Sequence, residues 1–262
     1  MRTPIFHIDA FTTRPLAGNP AAVMPMESFL PDAVLQAIAA ENNLGDTAFL
    51  VPEGDNYRLR WFTPTTEVPL CGHGTLASAA VVMERLQIGR KQVIFQSLSG
   101  PLTVNRTDGG YRMNFPARFS QTLTTPLPEL AQALGIVPLD VAADAFNYMA
   151  LLKNAHDVRN LEPDMAAIAR LNRDGVIVTA AGDGDFDFVS RYFAPAKGVP
   201  EDPVTGGAHC ALTPYWAKRL NKTEFRAFQV SRRGGEINCR LDGERVELQG
   251  SCVFYLEGQV EI

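Results

Sequence analysis

The sequence predicts an α+β protein of two similar lobes, in which the strands of each lobe wrap around one buried helix. Two observations support this prediction. Residues 60–64 (RWFTP) return 131 residues later as RYFAP at 191–195, and a repeat of this kind indicates related structural units. Residues 76–83 have no polar face, which is typical of a helix that is buried on all sides.

The same shift, without a gap, places VP at 68–69 on VP at 199–200. One repeated pair predicts two lobes, because a solenoid needs at least three units. We therefore expect an N-terminal lobe at residues 1–118 and a C-terminal lobe at residues 119–262, with the last strand as a candidate member of the N-terminal lobe. Ligand sites favour the interface between domains, so we expect the site in a cleft between these pseudo-symmetric lobes.

In the N-terminal lobe, the patterns predict two helices among short strands. A helix at 31–42 is predicted because a proline opens it and Val34, Leu35 and Ile38 follow at helical spacing. A strand at 57–62 is predicted because polar and apolar residues alternate. The predicted order is strand 5–11, turn 18–20, strand 21–24, helix 31–42, strands 47–51 and 57–62, loop 63–70, helix 72–86, and strands 93–95, 102–104 and 111–115.

The C-terminal lobe is predicted to repeat this order after a proline- and threonine-rich connection at 116–128. Its long helix should begin near Pro203 and continue through Leu212. Pro214 should kink or end it, because proline lacks a backbone N–H. The predicted order is helix 126–135, strand 146–152, helix 163–171, strands 176–178 and 186–193, the helix near 203, and strands 225–231, 235–241, 244–249 and 252–256.

Charge and cysteine content argue against several classes of protein. The net charge of -5 is unlike the clustered basic surface of a nucleic-acid-binding protein. The four cysteines have neither zinc-site nor disulfide-scaffold spacing, so we expect no metal and a reducing, cytoplasmic location. No apolar run approaches the roughly 20 residues that span a bilayer, so no membrane partner is expected.

The expected chemistry lies at the starts of the two long helices. The first N–H groups of a helix have no partners within it and carry partial positive charge, which favours a bound carboxylate. Glycine allows a ligand to approach the backbone closely. We therefore expect a small carboxylate substrate at these two helix starts. The expected substrate-binding residues are Gly45, Cys71, Gly72, Gly74, Thr75, Thr205, Gly206 and Gly207.

Three ionisable residues accompany these helix starts. His73 has a side chain suited to proton transfer near neutral pH. Cys71 and Asp202 are 131 residues apart and are expected to occupy equivalent cap positions. Each also has a purely structural interpretation, as a packed histidine, a small buried thiol or an ordinary aspartate cap.

These residues and several ordered motifs resemble the PhzF-like (phenazine biosynthesis) isomerase family of the diaminopimelate epimerase superfamily, along the whole chain. The resemblance implies a curled mixed sheet around a central helix in each lobe, a homodimer, and isomerisation by proton transfer without a cofactor. The motifs are HIDAF at 7–11, GNP at 18–20, RWFTP at 60–64, EVPLCGHGT at 67–75, EDPVTG at 201–206 and QVSRRGG at 229–235.

The resemblance also implies an acid/base residue in the GDTAF stretch at 45–49, next to Gly45. The family has glutamate where this chain has Asp46, so the carboxylate is one methylene shorter. The family often has serine where this chain has Gly207. Asp46, with His73 and Asp202 as partners, is therefore the expected catalytic group, and a structural role of Asp46 before a strand is the alternative.

Other functions remain open at this point. Cys71 and Asp202 would allow a two-base epimerase, and the two departures from the family pattern would suit a catalytically weak metabolite-binding member. The segment GHGTLA at 72–77 matches a dinucleotide-binding pattern, but an eight-residue loop precedes the helix where that motif needs a tight turn. The acidic segment at 183–187 lacks the ligand spacing of a calcium loop and is expected to be a turn.

Overall fold

The computed structural model describes residues 2–262, which form strands β1–β18 and helices α1–α6. The strands are β1 (Arg2–Ala10), β2 (Asn19–Pro25), β3 (Asp46–Glu53), β4 (Asn56–Phe62), β5 (Glu67–Val68), β6 (Gln92–Ser97), β7 (Gly100–Thr107), β8 (Gly110–Pro116), β9 (Gln121–Thr122), β10 (Asp140–Ala143), β11 (Asn147–Leu151), β12 (Gly175–Ala181), β13 (Phe188–Ala194), β14 (Val199–Asp202), β15 (Glu224–Gln229), β16 (Gly235–Asp242), β17 (Arg245–Gly250) and β18 (Cys252–Glu261). The helices are α1 (Asp32–Asn42), α2 (Gly72–Val81), α3 (Pro128–Leu134), α4 (Ala155–Arg159), α5 (Met165–Ala169) and α6 (Gly206–Leu220).

The chain divides into two units. Unit 1 contains the chain up to Asn114 together with Leu248–Ile262, and unit 2 is Phe115–Glu247. The sequence placed this division after residue 118. The C-terminal segment belongs to unit 1 because β18 pairs antiparallel with β1 from Ala10 to Arg2.

Unit 1 is a mixed sheet built around helix α2. β1 pairs antiparallel with β2, β2 pairs parallel with β3 across helix α1, and β3 pairs antiparallel with β4. β4 then pairs parallel with β6 across helix α2, and β6, β7 and β8 continue as an antiparallel meander. A parallel pair needs such a crossover, because its two strands run in the same direction.

Helix α2 is buried on all sides, as its apolar sequence predicts. Every residue from His73 to Val81 is buried, and the helix packs against β1, β2, β3 and β18. It continues as one turn of π-helix at Val82–Leu86, where the first solvent-facing charges, Glu84 and Arg85, appear. The helix therefore delivers its N-terminus to a fixed point inside unit 1.

Unit 2 has a comparable order of elements. β11 pairs parallel with β12 across α4 and α5, β12 pairs antiparallel with β13, and β13 pairs parallel with β15 across α6. The buried face of α6 includes Trp216, which stacks on Phe188 with ring centroids 5.7 Å apart and donates its Nε1 hydrogen to Thr179 Oγ1 at 3.0 Å. The short helix α4 was not predicted, because its five residues are too few to give a helical period.

Pro214 neither ends nor breaks helix α6, which continues to Leu220. A proline in a helix leaves the carbonyl four residues earlier without its usual donor. That carbonyl belongs to Cys210, and it accepts the backbone N–H of Arg118 at 2.9 Å. Of the two outcomes predicted for Pro214, a kink or an end, the end was wrong, because a neighbouring segment supplies the missing hydrogen bond.

Candidate functional site

Three ionisable side chains meet at the N-terminus of α2. Asp46 is the first residue of β3, Cys71 is the N-cap of α2, and His73 lies in its first turn. The Cys71 thiol donates to Asp46 Oδ2 at 2.7 Å, and His73 Nε2 lies 3.3 Å from the same oxygen. All three side chains are buried. Asp46 and the CGHGT motif, which were predicted separately as site residues, are therefore in contact within unit 1.

The sequence brings Asp46 to this place through the parallel pairing of β2 and β3. Asp46 lies opposite Ala21 in that pairing, at the end of the strand where helix α1 returns the chain. The sequence placed Asp46 on a turn and began the strand at Thr47. In the structure the strand begins one residue earlier, which fixes the Asp46 backbone within the sheet.

Cys71 caps the helix with its sulfur. Its backbone is extended, and its Sγ accepts the N–H of Gly74 at 3.1 Å. Its carbonyl accepts the hydroxyl of Thr75 at 2.5 Å. The Gly74 N–H and the Thr75 hydroxyl thus both bond to Cys71 in this structure, and their contact with a substrate carboxylate stays a prediction.

His73 is a neutral hydrogen-bonding group at neutral pH. Burial lowers its pKa to about 4, because the charged imidazolium is poorly solvated inside the protein. The side-chain nitrogen Nδ2 of Asn19 lies 3.2 Å from His73 Nδ1. With this amide donating to Nδ1, the ring carries its proton on Nε2 and directs it at Asp46.

Glycine and tryptophan form the walls of this cluster. A Cβ on Gly74 would lie 2.8 Å from Trp61 Cδ1 and 3.0 Å from Cys71 Sγ, so only glycine fits there. Gly45 faces the other side, where a Cβ would lie 3.5 Å from Asn19 Oδ1 and 3.6 Å from His73 Nε2. Close packing thus lines the cluster on the Gly74 side, whereas the contacts at Gly45 are of ordinary van der Waals length.

The second motif has a different cap from the one expected. Thr205, not Asp202, is the N-cap of α6, and the helix begins at Gly206 rather than near Pro203. Asp202 ends β14, and its Oδ2 accepts the hydroxyl of Thr205 at 2.6 Å. Asp202 therefore holds the cap residue in place from the preceding strand.

The 131-residue equivalence of Cys71 and Asp202 was also wrong. Trp61 of β4 pairs with Val68, whereas Tyr192, which follows Trp61 by 131 residues, pairs with Asp202. Asp202 is thus the counterpart of Val68. The reason is the 3₁₀ turn at Pro195–Lys197, which lengthens the second connection by three residues.

An arginine not expected from the sequence lies beside the second helix start. A Cβ on Gly207 would lie 3.7 Å from Nη1 of Arg118, whose guanidinium also covers the ring of Phe146 at 4.6 Å. Arg118 lies in the connection segment, far from α6 in sequence. No spacing pattern could have linked it to Gly207.

Gln229 and Asn19 also support the two motifs without having been predicted as site residues. Gln229 is buried, its Oε1 accepts the N–H of Thr205 at 2.9 Å, and its Nε2 donates to the Asp202 carbonyl at 2.6 Å. Asn19 opens β2 where a turn was expected. Both lie inside sequence motifs that were singled out, GNP and QVSRRGG, so their place in a motif was the available signal.

The arrangement has two chemical capacities. A carboxylate with two donors on one oxygen is held in a fixed orientation for proton transfer. The ligand atoms of Asp46, Cys71 and His73 also lie within 4.8 Å of one another, close enough for a metal ion to bridge them.

Within residues 2–262, no helix is long and apolar enough to cross a membrane.

Comparison with known proteins gives matches along nearly the whole chain. An uncharacterized isomerase of Pseudomonas aeruginosa is 49% identical over 100% of both chains. The structure of a PhzF-family phenazine biosynthesis protein from Enterococcus faecalis superposes with a TM-score of 0.96, at 42% identity over 100% of both chains. A hydroxyproline epimerase from Agrobacterium vitis shares the fold alone, with a TM-score of 0.62 at 11% identity over 99% of this chain and 92% of that one.

These matches confirm the predicted α+β class and the predicted family resemblance. The family described as phenazine biosynthesis-like protein matches residues 8–258, which include both helix starts and the Asp46 strand. Some relatives of this chain are named as isomerases. The chain therefore belongs to the phenazine biosynthesis-like protein family.

Proposed function

We propose that this protein is an isomerase or epimerase that moves a proton on a small carboxylic acid, with Asp46 as the acid/base. The observation that carries the proposal is the buried cluster in which the Cys71 thiol and His73 Nε2 both point at Asp46 Oδ2. The names of the relatives support an isomerase in general terms.

In the proposed reaction, the Asp46 carboxylate removes a proton from a carbon next to an activating group. It then returns the proton at another position of the same conjugated system, so no oxidant or reductant is consumed. His73 stays neutral, because its pKa is about 4, and holds the carboxylate through Nε2. No organic cofactor and no metal is needed for these two transfers.

We further propose that the carboxylate group of the substrate binds at the start of α6. Gly206 and Gly207 begin that helix, and the Arg118 guanidinium adds a positive charge beside Gly207. Unpaired N–H groups at a helix start together with a guanidinium form a favourable site for a carboxylate. That one substrate contacts both helix starts remains a prediction of this proposal.

The competing two-base epimerase would use Cys71 and Asp202 directly. Asp202 is engaged with the Thr205 hydroxyl, and Cys71 donates to Asp46. We expect Cys71 to position Asp46 rather than to act as a nucleophile or base. A serine at position 71 could still donate to Asp46, so Cys71→Ser should keep substantial turnover.

Proton exchange tests the proposal even when the product of the reaction has not been identified. A set of small carboxylic acids with an acidic C–H bond is incubated with the enzyme in heavy water, and deuterium incorporation is followed by mass spectrometry. Asp46→Asn preserves shape and removes the base. Exchange should therefore fall about 100- to 10,000-fold, the usual contribution of general acid–base catalysis, while binding is kept.

Two further variants, Asp55→Asn and Cys71→Ser, complete this experiment. Asp55→Asn changes an exposed aspartate in the turn after β3 and should leave exchange unchanged. Loss of exchange in Cys71→Ser as large as that in Asp46→Asn would favour the two-base epimerase. Exchange at the unmodified rate in Asp46→Asn would show that Asp46 is structural, and ligand binding without any exchange would identify a metabolite-binding protein.

We also propose that the protein is a cytoplasmic homodimer. The family resemblance of the motifs supports the dimer, and the absence of a disulfide-scaffold cysteine spacing supports a reducing location. Light scattering at micromolar concentration should give twice the mass of one chain, which is 28.6 kDa. A mass of one chain would refute the dimer.

A further inference from the structure

We propose that Asp46, Cys71 and His73 also form a binding site for one divalent transition-metal ion such as Zn²⁺, with one coordination position left open. The three residues come from two elements, β3 and the start of α2, and supply an oxygen, a sulfur and a nitrogen. One ligand atom from each residue lies within 4.8 Å of the ligand atoms of the other two. The cluster thus provides three different ligands around one point.

The distances fit tetrahedral coordination after small movements. With usual zinc bond lengths, a tetrahedral site separates nitrogen from oxygen by ~3.3 Å and sulfur from either by ~3.5 Å. Here His73 Nε2 lies 3.3 Å from Asp46 Oδ2 and 3.9 Å from Cys71 Sγ. The Sγ to Oδ2 distance of 2.7 Å must widen, and loss of the thiol proton between these two atoms removes the bond that keeps them close.

The ligand types select the metal. Thiolate and imidazole favour Zn²⁺, Co²⁺ and Cu²⁺ over Mg²⁺ and Ca²⁺, which prefer oxygen ligands throughout. Three protein ligands leave the fourth tetrahedral position for water or another small ligand. The burial of all three side chains protects the bound ion from competing water.

Proton balance and ring orientation are also consistent with binding. The ion replaces the Cys71 thiol proton, which goes to solvent, and displaces the His73 proton from Nε2 to Nδ1. The Asn19 amide, whose nitrogen lies 3.2 Å from Nδ1, can rotate so that its oxygen accepts this proton. A ligating histidine commonly has such a partner on its other nitrogen.

The bound ion would remove Asp46 from proton transfer. This consequence rests on the proposed function, whereas binding itself does not. Zn²⁺ should therefore inhibit proton exchange, and a chelator should restore it. Inhibition would make the same three residues both a catalytic cluster and a point of metal control.

Cobalt spectroscopy tests binding without a substrate. The full-length protein is treated with a chelator, the chelator is removed, and the protein is then titrated with Co²⁺. We expect one ion per chain, the intense visible absorption of tetrahedral Co²⁺, and a thiolate-to-cobalt charge-transfer band. Addition of Zn²⁺ should remove both signals. Failure to bind Co²⁺ or Zn²⁺ at micromolar concentration would overturn the inference and leave the isomerase proposal untouched.

Matched cysteine variants locate the ion. Cys71→Ser should abolish the charge-transfer band and weaken metal binding. Loss of a residue that only hydrogen-bonds to a ligand typically weakens metal binding about 10- to 100-fold, so loss of the Cys71 ligand itself should weaken it at least as much. Cys252→Ser changes another thiol of unit 1, at the start of β18, and should leave the spectrum unchanged. A charge-transfer band that persists in Cys71→Ser, or disappears in Cys252→Ser, would place the ion elsewhere and refute the site.

Discussion

The buried histidine of helix α6 should make the protein lose stability in acid. His209 is fully buried, its Nδ1 lies 2.8 Å from the Thr205 carbonyl, and its ring lies 6.0 Å from that of Phe188. Its Nε2 has no hydrogen-bond partner among residues 2–262. Burial lowers the pKa of this histidine from 6.5 to about 4, because an imidazolium there would be poorly solvated.

The sign and size of the effect follow from the two pKa values. Between about pH 6.5 and about pH 4 the unfolded chain binds a proton at this position and the folded protein does not, so acid favours unfolding. The stabilising contribution is fully present above pH 6.5 and is lost as the pH falls through the folded pKa. The difference between the two pKa values corresponds to about 3 kcal/mol, or about 1.4 kcal/mol for each pH unit in this window.

Urea unfolding at several pH values between about 7 and about 4.5 measures this contribution. His209→Gln removes the titrating ring but keeps a donor, so its free energy of unfolding should fall less steeply with acid than that of the unmodified protein. His156→Gln is the matched control, since that histidine side chain is 81% exposed and should leave the slope unchanged. Equal slopes for His209→Gln and the unmodified protein would refute the reasoning.

Two further substitutions test the packing of the two helix starts. Gly74→Ala forces a Cβ to within 2.8 Å of Trp61 and 3.0 Å of Cys71, so it should destabilise the protein by about 1–3 kcal/mol in thermal unfolding and displace the cap. An unchanged melting temperature of Gly74→Ala would contradict the close packing of Gly74 against Trp61 and Cys71. Gln229→Leu leaves the Thr205 N–H without its acceptor and the Asp202 carbonyl without its donor, so the free energy of unfolding in urea should fall by about 1–3 kcal/mol. An unchanged free energy of unfolding would contradict this role of Gln229.

The fold could be predicted because its strongest signals are local. The apolar stretch of α2 required burial on every side, and the structure buries each residue from His73 to Val81. The proline start of α1 and the glycine after α3 also marked true helix ends, at Pro31 and Gly135. Periodicity failed for α4, which spans little more than one turn.

The candidate site could be predicted only in part, because its support comes from contacts between distant segments. Asp46 and His73 belong to motifs and were found from them. The Asn19 contact with His73 joins residues 54 positions apart, and Arg118 reaches Gly207 from the connection segment. Such contacts join segments that are distant in sequence, and no periodic pattern in the sequence encodes them.

The strand register of the second motif changes the role expected for Asp202 at the start of helix α6. Arg60 pairs with Glu67 seven residues later, whereas Arg191 pairs with Glu201 ten residues later, so the repeat slips by three residues before the second helix. Asp202 consequently lies at the end of a strand. There it holds the hydroxyl of the cap residue, a role that an uncharged amide can also fill.

This placement predicts that Asp202 and Asp46 respond differently to the same substitution. Asp202→Asn keeps an oxygen that can accept the Thr205 hydroxyl, 2.6 Å away in the structure, so the cap and the free energy of unfolding should be preserved. If Asp202 positions substrate while Asp46 carries the proton, Asp202→Asn should mainly raise KM. Asp46→Asn should mainly lower kcat, because the carboxylate that it removes accepts the proton in the transition state. Steady-state kinetics on the substrate found by proton exchange decide the matter. An equal fall of kcat in both variants, with Asp202→Asn folded as judged by urea unfolding, would assign the second proton transfer to Asp202.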